Sequence, residues 1–244
     1  MLSALTSLIL ASLIAQAPAA SDSNEGSLSG SSDIGVTMIN GNSQSANSAI
    51  NFDLSYILEV HKFDFGMHYQ GVRDTDRTTG LADTSSRLYR SDLQYNYFVS
   101  DDKKTYIWTN VATRQDEPTG LISRNNFGAG IGYFFQFENE IDFNLEGGAT
   151  YVDEEKTTSD SQAAVTRLAF DFKWPVSEDL SILSSTEFLS GDNIETYVHD
   201  FSLRYSLSND WYLQLTNNTA YDAFPSAGAV STDSRFNITL GTSF

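Results

Sequence analysis

Residues 49–60 read AINFDLSYILEV, and their order decides the fold. Ile50, Phe52, Leu54, Tyr56, Leu58 and Val60 hold the even positions, with Asn51, Asp53, Ser55 and Glu59 between them. Strand side chains point alternately to opposite faces, so this stretch has one apolar and one polar face. A helix would scatter the same residues around its circumference. The segment is a strand.

The same period recurs along the chain. Phe63, Phe65, Met67 and Tyr69 alternate with polar residues, as do Tyr89, Leu93, Tyr95, Tyr97 and Val99. Phe127, Ala129, Ile131, Tyr133 and Phe135 are spaced by Gly128, Gly130 and Gly132. The pattern continues through Ile141–Tyr151, Leu168–Trp174, Tyr197–Leu207, Trp211–Leu215 and Phe236–Phe244. Ile34, Val36 and Met38 make a first strand. Thr105–Thr113 and Leu180–Ser190 carry apolar residues in both phases, so their faces stay open. Counting them gives twelve strands, and setting them aside gives ten.

Composition narrows the class. The chain has 244 residues, 13% of them aromatic, and a net charge of −18. The aromatic content excludes a disordered acidic chain. The charge excludes nucleic acid as a partner, because phosphate contacts need clustered Lys and Arg. Without cysteine there is no disulfide scaffold, thiolate metal site or cysteine nucleophile.

Residues 1–19 read as a cleavable secretory signal, with an apolar core from Met1 to Ile14 followed by small residues. Residues 20–33 are rich in Ser and Gly and read as a flexible lead-in. Residues 34–244 are then the barrel. No later apolar run approaches the ~18 residues of a membrane-spanning helix.

Short links near Glu59–Lys62, Ser100–Lys104, Gln136–Glu140, Pro175–Asp179 and Ser208–Asp210 alternate mostly with longer ones. The longer ones are Asp74–Ser85, Arg114–Asn125, Asp153–Gln162 and Asp222–Thr232. Short turns at one end and longer loops at the other describe an all-β, up-and-down outer-membrane barrel. Loops of about ten residues are short for a large fold-in plug, which favours an open or partly open path.

The aromatic positions choose the face that meets lipid. In the apolar phase, Tyr69, Tyr89, Phe127, Tyr151, Tyr197 and Tyr221 lie at the long-loop ends of their strands. Tyr56, Phe63, Tyr97, Tyr133, Trp174, Tyr205 and Trp211 lie in the same phase at the short-turn ends. Two amphipathic rings, one per interface, are what a bilayer selects. The better-defined strands from Ala49 onward carry no Asp, Glu, Lys or Arg in that phase. Lysine or arginine at the bilayer midplane would cost roughly 2–4 kcal/mol. Phe244, an aromatic residue ending an alternating strand, resembles the signal read by the barrel-insertion machinery of Gram-negative bacteria.

Two segments carry a family resemblance. Asp33–Tyr56 holds a G-x-x-x-x-N-G-N-S turn running into a long alternating strand, and Arg124–Tyr133 reads RNNFGAGIGY. Both resemble the salt-induced outer-membrane protein family (YdiY-like). The resemblance implies an outer-membrane barrel of poorly defined role, with no catalytic residues to transfer.

The opposite phase supplies the candidate site. Asp53, Asp64, His68, Arg90, Asp92, Asp142, Glu146, Arg167, Asp171, Asp200, Arg204 and Arg235 face inward as a charged lumen. Carboxylates are in the majority, which favours cations in a narrow path. His68 falls near Asp64, His61 sits in a short turn, and His199 lies in the lipid-facing phase with no partner serine assignable from spacing. Asp153-Glu154-Glu155 reads as a hydrated loop tip, and Asp74-Thr75-Asp76 lacks the glycine and distal glutamate of a calcium loop. The expectation is a non-enzymatic channel for ions or small polar solutes, without cofactor or metal. The alternative is a closed barrel serving envelope structure, surface display or lateral assembly. Partners would be outer-membrane lipid and lipopolysaccharide, with homo-oligomers compatible.

Overall fold

The computed structural model describes residues 26–40, 44–75, 82–117, 120–137, 140–227, 229 and 231–244. Residues 1–19, read above as a secretory signal, lie outside them. The described residues form twelve strands and no α-helix: β1 (Ser27–Asn40), β2 (Gln44–Leu58), β3 (His61–Thr75), β4 (Ala82–Phe98), β5 (Thr105–Asp116), β6 (Leu121–Gln136), β7 (Asp142–Lys156), β8 (Asp160–Pro175), β9 (Leu180–Ser190), β10 (Glu195–Ser206), β11 (Trp211–Asp222) and β12 (Thr232–Ser243). Each pairs antiparallel with its chain neighbours, and β12 returns to β1, closing the barrel. Phe244 joins the closure through backbone hydrogen bonds in both directions with Gly30, at 2.9 and 3.0 Å.

Exposure reports the orientation. Ile131 is 68% exposed and Phe127 61%, whereas Asp33, Glu146, Arg167 and Thr239 on the opposite phase are buried. The apolar face looks out and the charged face looks in, the inverse of a soluble barrel. With strands of 11 to 17 residues, against the ~9–11 needed to cross a bilayer, this is a transmembrane β-barrel. The aromatic rings pair across neighbouring strands, Tyr69 with Tyr89, Phe127 with Tyr151 and Tyr197 with Tyr221.

The strands are tilted. A paired row starting at Leu240, near the end of β12, passes through Ile34, Ile50 and Tyr69 to Tyr89, well above the end of β4. Rows therefore run obliquely to the barrel axis, as closure of a sheared sheet requires.

Three readings need correction. β1 begins at Ser27 rather than Ile34, because Ser27–Asp33 pair with β2 although their side chains show no alternation. The expected long connections are largely strand. β5 runs to Asp116 and β6 starts at Leu121, while β7 runs to Lys156 and β8 starts at Asp160. Small and polar residues extend these ladders because hydrogen bonding, not side-chain character, sustains them outside the apolar band. Residues 41–43 and 76–81, within two other expected connections, lie outside the described residues.

The third correction concerns the undecided strands. In β5, Ile107 and Val111 face outward, while Tyr106 and Trp108 face the lumen and are 0% exposed. In β9, Phe188 faces out and Leu189 faces in. Both phases are apolar there because both sides are packed, one by lipid and one by the barrel interior.

Candidate functional site

Glycines make room for the aromatic pair. Gly130 and Gly148 face each other on β6 and β7, and a Cβ on either would come within 2.7 Å of the Trp108 ring. A Cβ on Gly132 would meet the Tyr106 ring at 2.2 Å. The RNNFGAGIGY segment is thus an inner groove that seats Trp108 and Tyr106. With Phe98, they form a buried cluster at the short-turn end of the lumen.

Around that groove lies a charged hub. Glu146 accepts hydrogen bonds from Gln94 and Arg167, each at 2.7 Å, and the Tyr106 hydroxyl lies 2.7 Å away. Arg167 also pairs with Glu187 at 2.7 Å and stacks over Trp108, 4.6 Å from the ring centroid. Across the full diameter, Arg90 on β4 meets Asp200 on β10 at 3.2 Å. Asn218 donates a second hydrogen bond to Asp200. Gln70 on β3 reaches Asn237 on β12 at 3.1 Å.

The other inward carboxylates are placed by neighbours. His68 lies against Asn51 at 3.2 Å and Asp53 at 3.5 Å, not against Asp64 as its spacing suggested. Asp64 instead pairs with Lys62 at 3.0 Å. Arg204 stacks on Tyr212 at 4.1 Å and donates to Gln214. Asp92, Asp142 and Asp171 keep the inward phase, and the Asp53 side chain is 50% exposed.

The loop end is built differently, from residues that sequence reading placed in loops. Arg124 pairs with Glu154, which Lys156 also contacts at 2.8 Å. Lys156 crosses to Asp222 on β11 at 2.8 Å. Arg114 holds Asp116 at 2.8 Å, and Arg235 on β12 reaches the same carboxylate at 2.9 Å while also pairing with Asp233. Apart from Asp233, these side chains are only 1–12% exposed. Glu154 is therefore a buried ion-pair partner, not the hydrated loop tip expected. Continuing the β7 phase would have found it, since Asn144, Glu146, Thr150, Val152, Glu154 and Lys156 are all even-numbered.

The residues after β11 join this network: the Phe224 carbonyl accepts from Lys156 at 2.6 Å. The Ser226 hydroxyl donates to the Gly120 carbonyl at 3.2 Å, and Gly120 takes a positive φ of 74° to turn the β5–β6 loop beneath it. Beside the mouth, Val152, Val165, Leu189 and Ile194 form a dry cluster inside the barrel. The cavity between Arg114, Leu121, Arg124, Thr196 and Asp222 measures about 20 Å³, close to one water. Hydrogen bonds at Phe224 and Ser226 thus tie the β11–β12 connection to the far side of the loop end.

Among the described residues no group of three or more His, Asp or Glu is arranged to hold a metal ion. His61 begins β3 and lies 2.8 Å from the Tyr95 hydroxyl. His199 faces outward, 2.8 Å from the hydroxyl of Thr186, a residue only 2% exposed.

A family described as "Protein of unknown function, DUF481" matches residues 32–244. No curated protein matches the chain. Among solved structures, similarity extends to an outer membrane channel from Pseudomonas putida F1, at 12% identity and a TM-score of 0.48 over 93% of this chain and 98% of that one. The KdgM porin is similar at 11% identity and 0.44, covering 88% of this chain and 99% of that one. For the NanC porin the values are 12% and 0.44, covering 89% and 99%.

Proposed function

We propose that this chain, which belongs to the DUF481 family of proteins of unknown function, is an outer-membrane barrel holding a narrow polar path behind a closed loop-end mouth. The observation that carries this reading is the division of the lumen. Its lower part is lined by Asp53, Asp64, Asp92 and Asp171, with the Asp53 side chain half exposed, while its upper part is crossed by buried ion pairs that reach the Phe224 carbonyl. Opening requires the mouth network to separate, and passage also requires the Arg90–Asp200 pair that spans the barrel to part. Small ions and polar solutes then pass, with a weak preference for cations set by the lower carboxylates. The movement is passive and needs no catalytic group. An outer-membrane location fits the two aromatic rings and the outward apolar band.

Lys156 is the tie to test, since one ammonium binds Glu154, Asp222 and the carbonyl of Phe224. Lys156→Met keeps most of the stem and removes all three contacts. In planar bilayers the native protein is expected to stay mostly closed, and Lys156→Met to show longer and more frequent cation-preferring steps. Folded Lys156→Met without conductance would overturn the channel reading. A structural barrel would remain, the reading favoured by the fixed seat of Trp108 and Tyr106.

A further inference from the structure

One flank of the lipid-facing surface breaks the apolar pattern. His199, Thr219 and Ser234 are partners in register on β10, β11 and β12, forming one paired row of outward polar side chains that continues on β9 into the buried Thr186. The row below it, Ser184, Phe201, Asn217 and Phe236, adds a serine and an asparagine. These groups bond to one another: Thr186 with His199 at 2.8 Å, Thr219 to Asn217 at 3.0 Å and Asn217 to Ser234 at 3.2 Å. On β6 the outward face runs Phe127, Ala129, Ile131, Tyr133 and Phe135 without a polar side chain. On β11 it runs Trp211, Leu213 and Leu215 and then turns polar at Asn217, two outward positions before Tyr221.

The apolar band is therefore short on this flank. Hydrocarbon offers polar groups no hydrogen-bond partner, and a short apolar band is relieved by thinning the bilayer or by oligomerising. We propose that the β9–β12 flank is a self-association surface on which two copies of this chain pair about a two-fold axis along the membrane normal. This rests on the transmembrane reading of the barrel and not on its conductance.

A second copy fits for two reasons. Copies inserted in the same orientation meet at equal depth, so a polar row at one level faces a polar row at that level. The row holds no Asp, Glu, Lys or Arg and presents donors and acceptors together, which makes it self-complementary, as an isologous contact demands. Because paired rows run obliquely, the two-fold axis makes the facing rows cross, near His199 and Thr219. Polar side chains serve as contacts between membrane segments where small or hydrogen-bonding residues replace apolar ones.

The chain has no cysteine, so single cysteines report cleanly. In native outer membranes, Thr219→Cys is expected to give a covalent dimer with a short bismaleimide, and Ile131→Cys on the opposite flank is not. The variant combining His199→Leu, Asn217→Leu and Thr219→Val, folded by its heat-dependent gel mobility, is expected to release monomers in native mass spectrometry where the unaltered protein releases dimers. Equal crosslinking at both cysteines, none at Thr219→Cys, or a monomer that retains lipid would each overturn the proposal. A triple variant still dimeric would equally remove the polar row as its cause. Should the triple variant fail to fold, the cysteine comparison alone decides.

Discussion

Valine at Gly130 is expected to abolish folding of the barrel. A Cβ there would lie 2.2 Å from the Gly147 carbonyl oxygen, 2.7 Å from Gly148 Cα and 2.7 Å from the Trp108 ring. Two of those three atoms are backbone of the neighbouring strand, which can yield only by parting β6 from β7. Overpacking costs about 1–3 kcal/mol where side chains can adjust, and more where backbone must move. Gly132 provides the contrast, because its three nearest atoms all belong to the Tyr106 side chain. Gly132→Val should also be destabilised, but Tyr106→Leu should restore much of the loss. No such rescue is expected when Trp108→Ala is added to Gly130→Val, since the backbone clash remains. Heat-dependent gel mobility and circular dichroism after refolding in detergent read both cycles. A folded Gly130→Val of unchanged stability would mean that the inner groove does not seat Trp108.

Glu154→Ala is the second large effect expected. The carboxylate is 1% exposed and sits between Arg124 and Lys156, so its removal leaves two buried cations sharing Asp222. Removing one partner from a buried ion pair costs about 3–5 kcal/mol, chiefly because the remaining charge stays desolvated. The urea midpoint in detergent should fall accordingly. Adding Lys156→Met should recover part of the loss, since Arg124 and Asp222 then balance each other. A neutral Glu154→Ala would put that side chain in water, as its acidic surroundings in sequence suggested.

These two sites mark what was legible in the sequence and what was not. Alternation made the barrel and most of its strands legible, because lipid and water impose opposite chemistry on adjacent positions. Alternation failed at β5, where lipid packs one face and Gly130, Gly132 and Gly148 receive the other, so both phases are apolar. It also stopped too early at the loop end, where Arg114, Asp116, Glu154 and Lys156 look like surface charge. Their inward phase follows from counting on in twos, but their pairing does not. Arg90 reaching Asp200 and Arg235 reaching Asp116 depend on barrel closure, which brings together strands far apart in the chain.

Spin labels at single cysteines placed in turn at residues 200–206 of β10 in reconstituted bilayers test the orientation on which every other statement depends. Labels at Phe201, Leu203 and Tyr205 should collide with dissolved oxygen and be shielded from a water-soluble nickel chelate, while those at Ser202 and Arg204 should show low oxygen collision, repeating with a period of two. Nickel-accessible labels at Phe201 and Leu203, with oxygen-rich ones at Ser202, would turn the barrel inside out and contradict the account.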